Sequence, residues 1–152
     1  MDKHYSEHRV KLHWKKETES FDYKDYNREH DFIFSDKTIV RASSAPQFLG
    51  NPDCADPEQA YVAAISSCHL LFFIAYCSKK RITILDYQDD AMGVLEPDSQ
   101  AKLWISKVIL QPKIKFADGQ EPNQEELARL HSLAHKNCFI ANSVKSEVIV
   151  EF

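Results

Sequence analysis

The sequence predicts an α+β fold in which runs of strands are interrupted by two helices, rather than a doubly wound α/β fold. Three observations carry that expectation. Apolar and polar residues alternate with period two near both ends of the chain, the pattern of half-buried strands. Between Ala60 and Cys77 a stretch of 18 residues holds no charged side chain and follows a helix-start signal. From Asn123 to Cys138 the apolar residues recur at helical spacing.

The elements follow in order. Strands are expected within residues 8–42. Val10, Leu12 and Trp14 alternate with Arg9, Lys11 and His13, and Phe32-Ile33-Phe34 and Thr38-Ile39-Val40 flank the polar turn Ser35-Asp36-Lys37 as a hairpin. Ser43 to Ala55 holds two prolines, a glycine and an Asn-Pro step, so it reads as loop. A central helix over 57–80 starts with Asp56 as cap, Pro57 in the first turn and Gln59 completing a capping box. Lys79, Lys80 and Arg81 suit its C-terminal end. Being apolar nearly all round, this helix must be covered by protein on most sides. Two long strands are expected within 82–116, Ile82–Glu96 and Ala101–Phe116, with Pro97-Asp98-Ser99 as their turn. Asn123 and Glu126 form a second capping-box pattern before a helix over 124–138, whose stripe is Leu127, Leu130, His131, Ala134 and Cys138. Val144, Ser146, Val148, Val150 and Phe152 alternate as a closing strand over 144–152.

Composition narrows the function classes. The chain has 152 residues, 43% hydrophobic and 28% charged, the balance and length of a single domain. Its 19 Lys and Arg are scattered and outnumbered by 23 Asp and Glu, which argues against a nucleic acid or an anionic membrane as partner. Only three glycines are present and none forms a phosphate loop, so nucleotide-binding readings fail. The apolar run approaches the length of a membrane span, but Ser66, Ser67 and His69 sit in its middle and no second span accompanies it. A buried helix of a soluble protein is the better reading. The first ten residues hold no apolar stretch of the signal-peptide kind, and a cytoplasmic location is expected. Four cysteines without a CxxC do not make a disulfide scaffold, leaving core thiols, metal ligands or redox catalysts.

Each cysteine has a distinct setting. Cys68 lies in the middle of the central helix beside His69, where a thiol serves either as a small core hydrophobe or as a reactive group. Cys77, nine residues on, projects from the opposite face and has no assigned role. Cys54 lies in the loop between Asp53 and Asp56, a poor setting for a nucleophile. Cys138 ends the series His131-x3-His135-x2-Cys138, and with Cys68 or His69 as a fourth ligand a metal site can be drawn. His135, however, lies about 80° from the centre of the apolar stripe.

Two segments carry a resemblance. Asp56-Pro57-Glu58 leading to Ser66-Ser67-Cys68-His69, together with Cys138-Phe139-Ile140-Ala141-Asn142-Ser143-Val144-Lys145 before a C-terminal strand, closely resembles the OsmC/Ohr family of thiol peroxidases. Tyr26 to His30 and Ser43 to Pro46 resemble one branch of it, so the likeness covers nearly the whole chain. The resemblance implies an intertwined homodimer with curved antiparallel sheets wrapped around long central helices. It implies reduction of organic hydroperoxides to alcohols, as part of an oxidative stress response, and recycling by an external dithiol on a lipoyl or thioredoxin-like protein. Carried over, Cys68 is the peroxidatic thiol, Cys138 the resolving one, Glu58 the glutamate at the start of the central helix and Arg28 the arginine, with Arg41 as the fallback. No cofactor and no metal is implied. The chain departs from the best-studied members at Phe139, where they carry proline, and at His69, where they carry an aromatic residue. Two other readings stand beside this one: a metal- or small-ligand-binding protein using Cys68, His69, His131, His135 and Cys138, and a dimeric scaffold without chemistry.

The mechanism has a physical requirement. The thiolate attacks the peroxide, and burial in an apolar helix disfavours it, so a guanidinium beside the thiol is needed; a buried guanidinium in turn needs a carboxylate. Glu58 and Cys68 are ten helical residues apart, a rise of about 15 Å, so they cannot touch along one straight helix. The glutamate is therefore expected to act on the site of another subunit.

Overall fold

The structure, a computed structural model, describes residues 5–152. They form two compact units, one ending at Ala60 and one running Tyr61–Phe152.

The first unit is built on an antiparallel sheet of β1 (Lys11–Trp14), β2 (His30–Ser35) and β3 (Thr38–Ala42) in that spatial order. Its register aligns Leu12, Phe32 and Val40 across the three strands, so one face of the sheet is an apolar row. The alternation leads one to expect this row half-buried, yet every residue of β1 is exposed, Leu12 at 65%. The reason is supply: among the described residues of the unit the buried ones are Ala42, Ser43, Ala45 and Asp56, none of them large enough to cover a sheet face. These small residues lie where the chain after β3 returns to pair Ala55 with Ala42 at the strand's end. Ser43 donates its N–H to the Ala55 carbonyl at 2.9 Å, and Ala55 donates to Arg41 at 3.2 Å. That bridge ends the Ser43–Ala55 loop, which contains one short 3-10 turn at Pro46–Phe48, and delivers the chain to the helix start.

Helix α1 (Pro57–Lys79) begins with a reciprocal cap. Asp56 Oδ1 accepts from Gln59 N–H at 2.7 Å, and Gln59 Oε1 accepts from Asp56 N–H at 3.1 Å. The helix ends with Arg81 in the left-handed region, φ 60°, where Ile82 N–H reaches the Cys77 carbonyl and Arg81 N–H the Ser78 carbonyl, both at 2.9 Å. By length and composition α1 could cross a membrane, and 28% of its most apolar window is buried within the chain. Burial is confined to a single stripe: Val62, Ile65, His69, Phe73 and Cys77. Cover on most sides, expected from the sequence, is not supplied by one copy of the chain.

The second unit differs from expectation in its strands. Four strands stand where the alternation suggested two: β4 (Ile84–Asp89), β5 (Met92–Pro97), β6 (Leu103–Leu110) and β7 (Pro112–Phe116). β4 pairs with β7 alone, while β5 and β6 join β8 (Glu147–Val150) in a second sheet. The break falls at Asp90-Ala91 and at Gln111. Asp89 fixes it by accepting Gln111 N–H on Oδ1 at 2.7 Å and the Ser66 hydroxyl of α1 on Oδ2, and Pro112 brings no N–H to continue the ladder. β8 runs parallel to β6, so the sheets are not purely antiparallel, and a 3-10 turn at Ala141–Ser143 occupies residues next to the expected start of the closing strand. Asn123 caps α2 (Gln124–Asn137) by accepting Glu126 N–H at 2.9 Å.

Helix α1 spans both sheets of this unit. Val62 and Ile65 pack with Val108 and Leu110, while Phe73 and Cys77 pack with Leu130 and Ala134 of α2 and with apolar residues of β4 and β7. The helix approaches β5 closely: a Cβ at Gly93 would lie 2.7 Å from a methyl of Val62. Residues 66–69 therefore sit between the two clusters, where the sheets part.

Candidate functional site

The middle of α1 presents Cys68 and His69 in succession. Helix geometry turns them about 100° apart, so they serve different neighbours. His69 belongs to the buried stripe, whereas Cys68 is half-buried. Opposite them, α2 packs through Leu130, His131 and Ala134, and this stripe continues to Cys138 at the helix end. There Cys138 lies beside Cys68, near enough for the second thiol to add to the upward push on its own, and Ala141 donates its N–H to Cys138 Sγ at 3.3 Å. Burial is the main reason that the Cys138 thiol is pushed up to about 11; backbone N–H groups of Ala141 and Ile140 pull against it. All four cysteines are free thiols. Cys77 is equally raised to about 11 by burial, but it packs into the Phe73–Leu130 cluster. Cys54 stays in its loop in the other unit.

The two buried imidazoles form a pair. His69 Nε2 and His131 Nδ1 are 3.0 Å apart, with ring planes 6° from parallel. His131 is clamped between the rings of Phe73 and Phe152, at centroid distances of 4.3 and 4.4 Å. Among the described residues neither His69 Nδ1 nor His131 Nε2 has a partner. Both rings are held neutral. His69 is lowered to about 4 by burial first and by the charge of His135 second, against a weaker opposite pull from Asp89, and His131 is lowered to about 4 by burial and then by His69.

The residues drawn together for a metal site from the sequence do not converge within the chain. Among the described residues no three His, Cys, Asp or Glu side chains come together as a metal-holding group. His135 is exposed, on the flank its helical angle indicated, and His131 spends its Nδ1 on His69.

The charged candidates lie in the first unit. A loop over residues 15–29 is closed at its base by Asn27, which donates to the Lys15 carbonyl at 2.9 Å, accepts from Glu17 N–H at 2.9 Å and offers its own carbonyl to Trp14 Nε1 at 2.8 Å. Arg28 follows this staple. Its guanidinium donates to the carbonyls of Tyr26 at 2.9 Å and Tyr23 at 2.5 Å and lies over both rings, 4.0 Å from the Tyr26 centroid. It lines a cavity of about 350 Å³ with Trp14, Tyr23, Tyr26, His30 and Phe48. Within the chain Arg28 and Glu58 form no ion pair, and the guanidinium is held by these local carbonyls. Glu58 Oε2 is buried without a partner among the described residues. Arg41 is engaged elsewhere, with Asp31 at 3.1 Å and Glu17 at 3.8 Å.

Sequence reasoning missed two participants, Asp89 and Asn27. The histidine pair itself was legible in part, since His131 sits on the apolar stripe of α2 and His69 in the apolar run. Asp89 and Asn27 gave no signal, because each acts through the backbone of residues distant in sequence.

Comparison with known proteins fits this architecture. The profile of the OsmC-like protein family matches residues 50–152. An OsmC-like protein of unknown function from Vibrio cholerae is 39% identical, with a TM-score of 0.91 over 97% of this chain and 99% of that one. An OsmC-like protein from Mycoplasma pneumoniae shares the fold at 15% identity, TM-score 0.74, over 99% and 96% of the two chains. An organic hydroperoxide resistance protein from Elizabethkingia anophelis does so at 16% identity, TM-score 0.69, over 99% and 95%. No match is found among the curated proteins.

Proposed function

Because the chain belongs to the OsmC-like protein family, we propose that it is a cysteine-based peroxidase that reduces organic hydroperoxides to alcohols. The observation that carries the reading is the nearness of Cys68 on α1 to Cys138 at the C-terminal end of α2. The name of the Elizabethkingia relative, organic hydroperoxide resistance protein, supports the substrate class.

In this reading the Cys68 thiolate attacks the outer peroxide oxygen. The O–O bond breaks, the alkoxide leaves and takes a proton, and Cys68 becomes a sulfenic acid. Cys138 then displaces water from that sulfur to close a disulfide, and an external dithiol, on a lipoyl or thioredoxin-like protein, reduces it and is itself oxidised to a disulfide. Arg28 stabilises the thiolate and the leaving oxygen. Its two carbonyl contacts leave other N–H groups of the fork free to donate.

The same reading assigns a homodimer in the cytoplasm. The face of α1 bearing Leu71 and Ile74 is exposed at 64% and 42%, and a second copy would cover it. Glu58 would then hold an arginine at the partner's site, satisfying its orphaned oxygen.

The deciding experiment is one equivalent of cumene hydroperoxide followed by mass mapping of the cysteines. A Cys68–Cys138 disulfide that is lost in Cys68→Ser is the expected result. A Cys68 left as a free thiol while hydroperoxide persists overturns the reading.

A further inference from the structure

We propose that the His69–His131 hydrogen bond is a positioning device that sets the register of α1 against α2 and so keeps the Cys138 thiol beside Cys68 for disulfide closure. The inference rests on the dithiol reading above and adds to it two residues that touch neither peroxide nor reductant.

The pair is hard to explain as filler. Both rings are almost completely buried, 1% exposed at His69 and 2% at His131, and each leaves a ring nitrogen without a partner among the described residues. Desolvated, half-satisfied imidazoles cost stability that a phenyl or leucyl group in the same volume would not. What they supply instead is direction. The surrounding contacts, Phe73 on one side of His131 and Phe152 on the other, are ring faces that permit sliding. A single N–H···N bond at 3.0 Å between nearly coplanar rings permits one alignment.

The location of the pair gives that alignment its consequence. His69 adjoins Cys68 on α1. His131 precedes Cys138 by about two turns on the same buried stripe of α2. The bond thus ties the two helices one residue from Cys68 on α1 and about two turns before Cys138 on α2, and disulfide closure tolerates only a narrow range of Cα separations. The alternative role, a base for the resolving thiol, fails on chemistry. Imidazoles whose pKa is about 4 do not take a proton from a thiol raised to about 11.

The test is the equilibrium between the Cys68–Cys138 dithiol and glutathione at pH 7.5, in which two glutathione thiols are released per disulfide formed and no hydroperoxide is involved. His131→Leu removes the bond while keeping an apolar side chain, and His131→Asn retains a polar group near the Nδ1 position. The dithiol–disulfide equilibrium constant is expected to fall about tenfold in His131→Leu and to recover most of that loss in His131→Asn. His69→Leu should match His131→Leu, and the double Leu variant should add little to either. A wild-type constant in a folded His131→Leu protein overturns the proposal. So does a loss in His131→Asn as large as in His131→Leu, a comparison that stands even if one of the two is poorly stable. If the wild type itself forms no Cys68–Cys138 disulfide with glutathione, the dithiol reading is what fails.

Discussion

Acid should destabilise this protein in a window set by two histidines. His69 and His131 each have a folded pKa of about 4 against an ordinary value near 6.5, with burial as the leading cause. The sign follows from proton uptake. Above pH 6.5 both the folded and unfolded imidazoles are neutral and contribute no pH dependence. Below it the unfolded chain binds protons that the folded pair refuses, so stability falls until the folded groups titrate near pH 4. Between pH 7.5 and pH 5 the loss is about 2 kcal/mol for each histidine, on the order of 4 kcal/mol together. That is a large share of the 5–15 kcal/mol that usually separates folded from unfolded states. Urea unfolding followed by circular dichroism at pH 7.5, 6.5, 5.5 and 5 should show the midpoint falling by roughly 1 M or more. Staying at or above pH 5 keeps carboxylates out of the measurement, since Glu29 is lowered in the fold by its hydrogen bonds and loses its contribution only below the ordinary Glu range. His69→Leu combined with His131→Leu should flatten the profile. An equal slope in wild type and double variant would refute the assignment of the buried pair as the acid-sensitive element.

Other consequences concern the arginine, the cap, the uncovered face of α1 and the core. Arg28→Lys keeps the charge but loses the fork that holds two carbonyls, and kcat/KM for cumene hydroperoxide should fall by at least about a hundredfold; an unchanged value would return the role to Arg41. Asp56→Ala removes the side-chain acceptor of the α1 cap and should cost about 1 kcal/mol in thermal unfolding, with Asp56→Asn close to wild type. Leu71→Glu with Ile74→Glu places two charges on the uncovered face of α1 and should shift sedimentation velocity from dimer to monomer, while a double variant that sediments as wild type would move the proposed interface elsewhere. Phe73→Ala opens the cluster between α1 and α2 and should lower stability by about 3–5 kcal/mol.

What the sequence revealed divides along a physical line. Local signals were legible: the reciprocal bonds of Asp56 and Gln59, the cap at Asn123 and the stripe Leu130, Ala134 and Cys138 each depend on residues within a few positions of one another. The break of the two long strands into four was not, because it depends on Asp89 reaching Gln111 and Ser66, contacts that no spacing rule connects. Arg28 and Glu58 were singled out by the family resemblance, but not their environments. The carbonyls of Tyr23 and Tyr26 that hold the guanidinium come from a loop whose closure by Asn27 is a matter of backbone geometry. The histidine pair lies between these cases. His131 could be placed on the apolar stripe of α2 from periodicity and His69 only within the apolar run of α1, and their meeting required the packing of α1 on α2.

The burial deficit of α1 and the orphaned oxygen of Glu58 point to the same remedy. A helix apolar on nearly all sides has a single buried stripe in one chain, and a sheet in the other unit leaves the row through Leu12 open. Hydrophobic surface alone would accept many kinds of cover. Glu58 restricts the choice, because a buried carboxylate oxygen without a donor asks for a cation, and the rise of about 15 Å to Cys68 keeps it from serving its own thiol along the helix. A second copy of the chain brings both an apolar helix of matching length and an arginine held on a preorganised loop. Folding, assembly and activation of the thiol would then depend on one association. Dilution below the dimer dissociation constant should lower stability and peroxidase activity together.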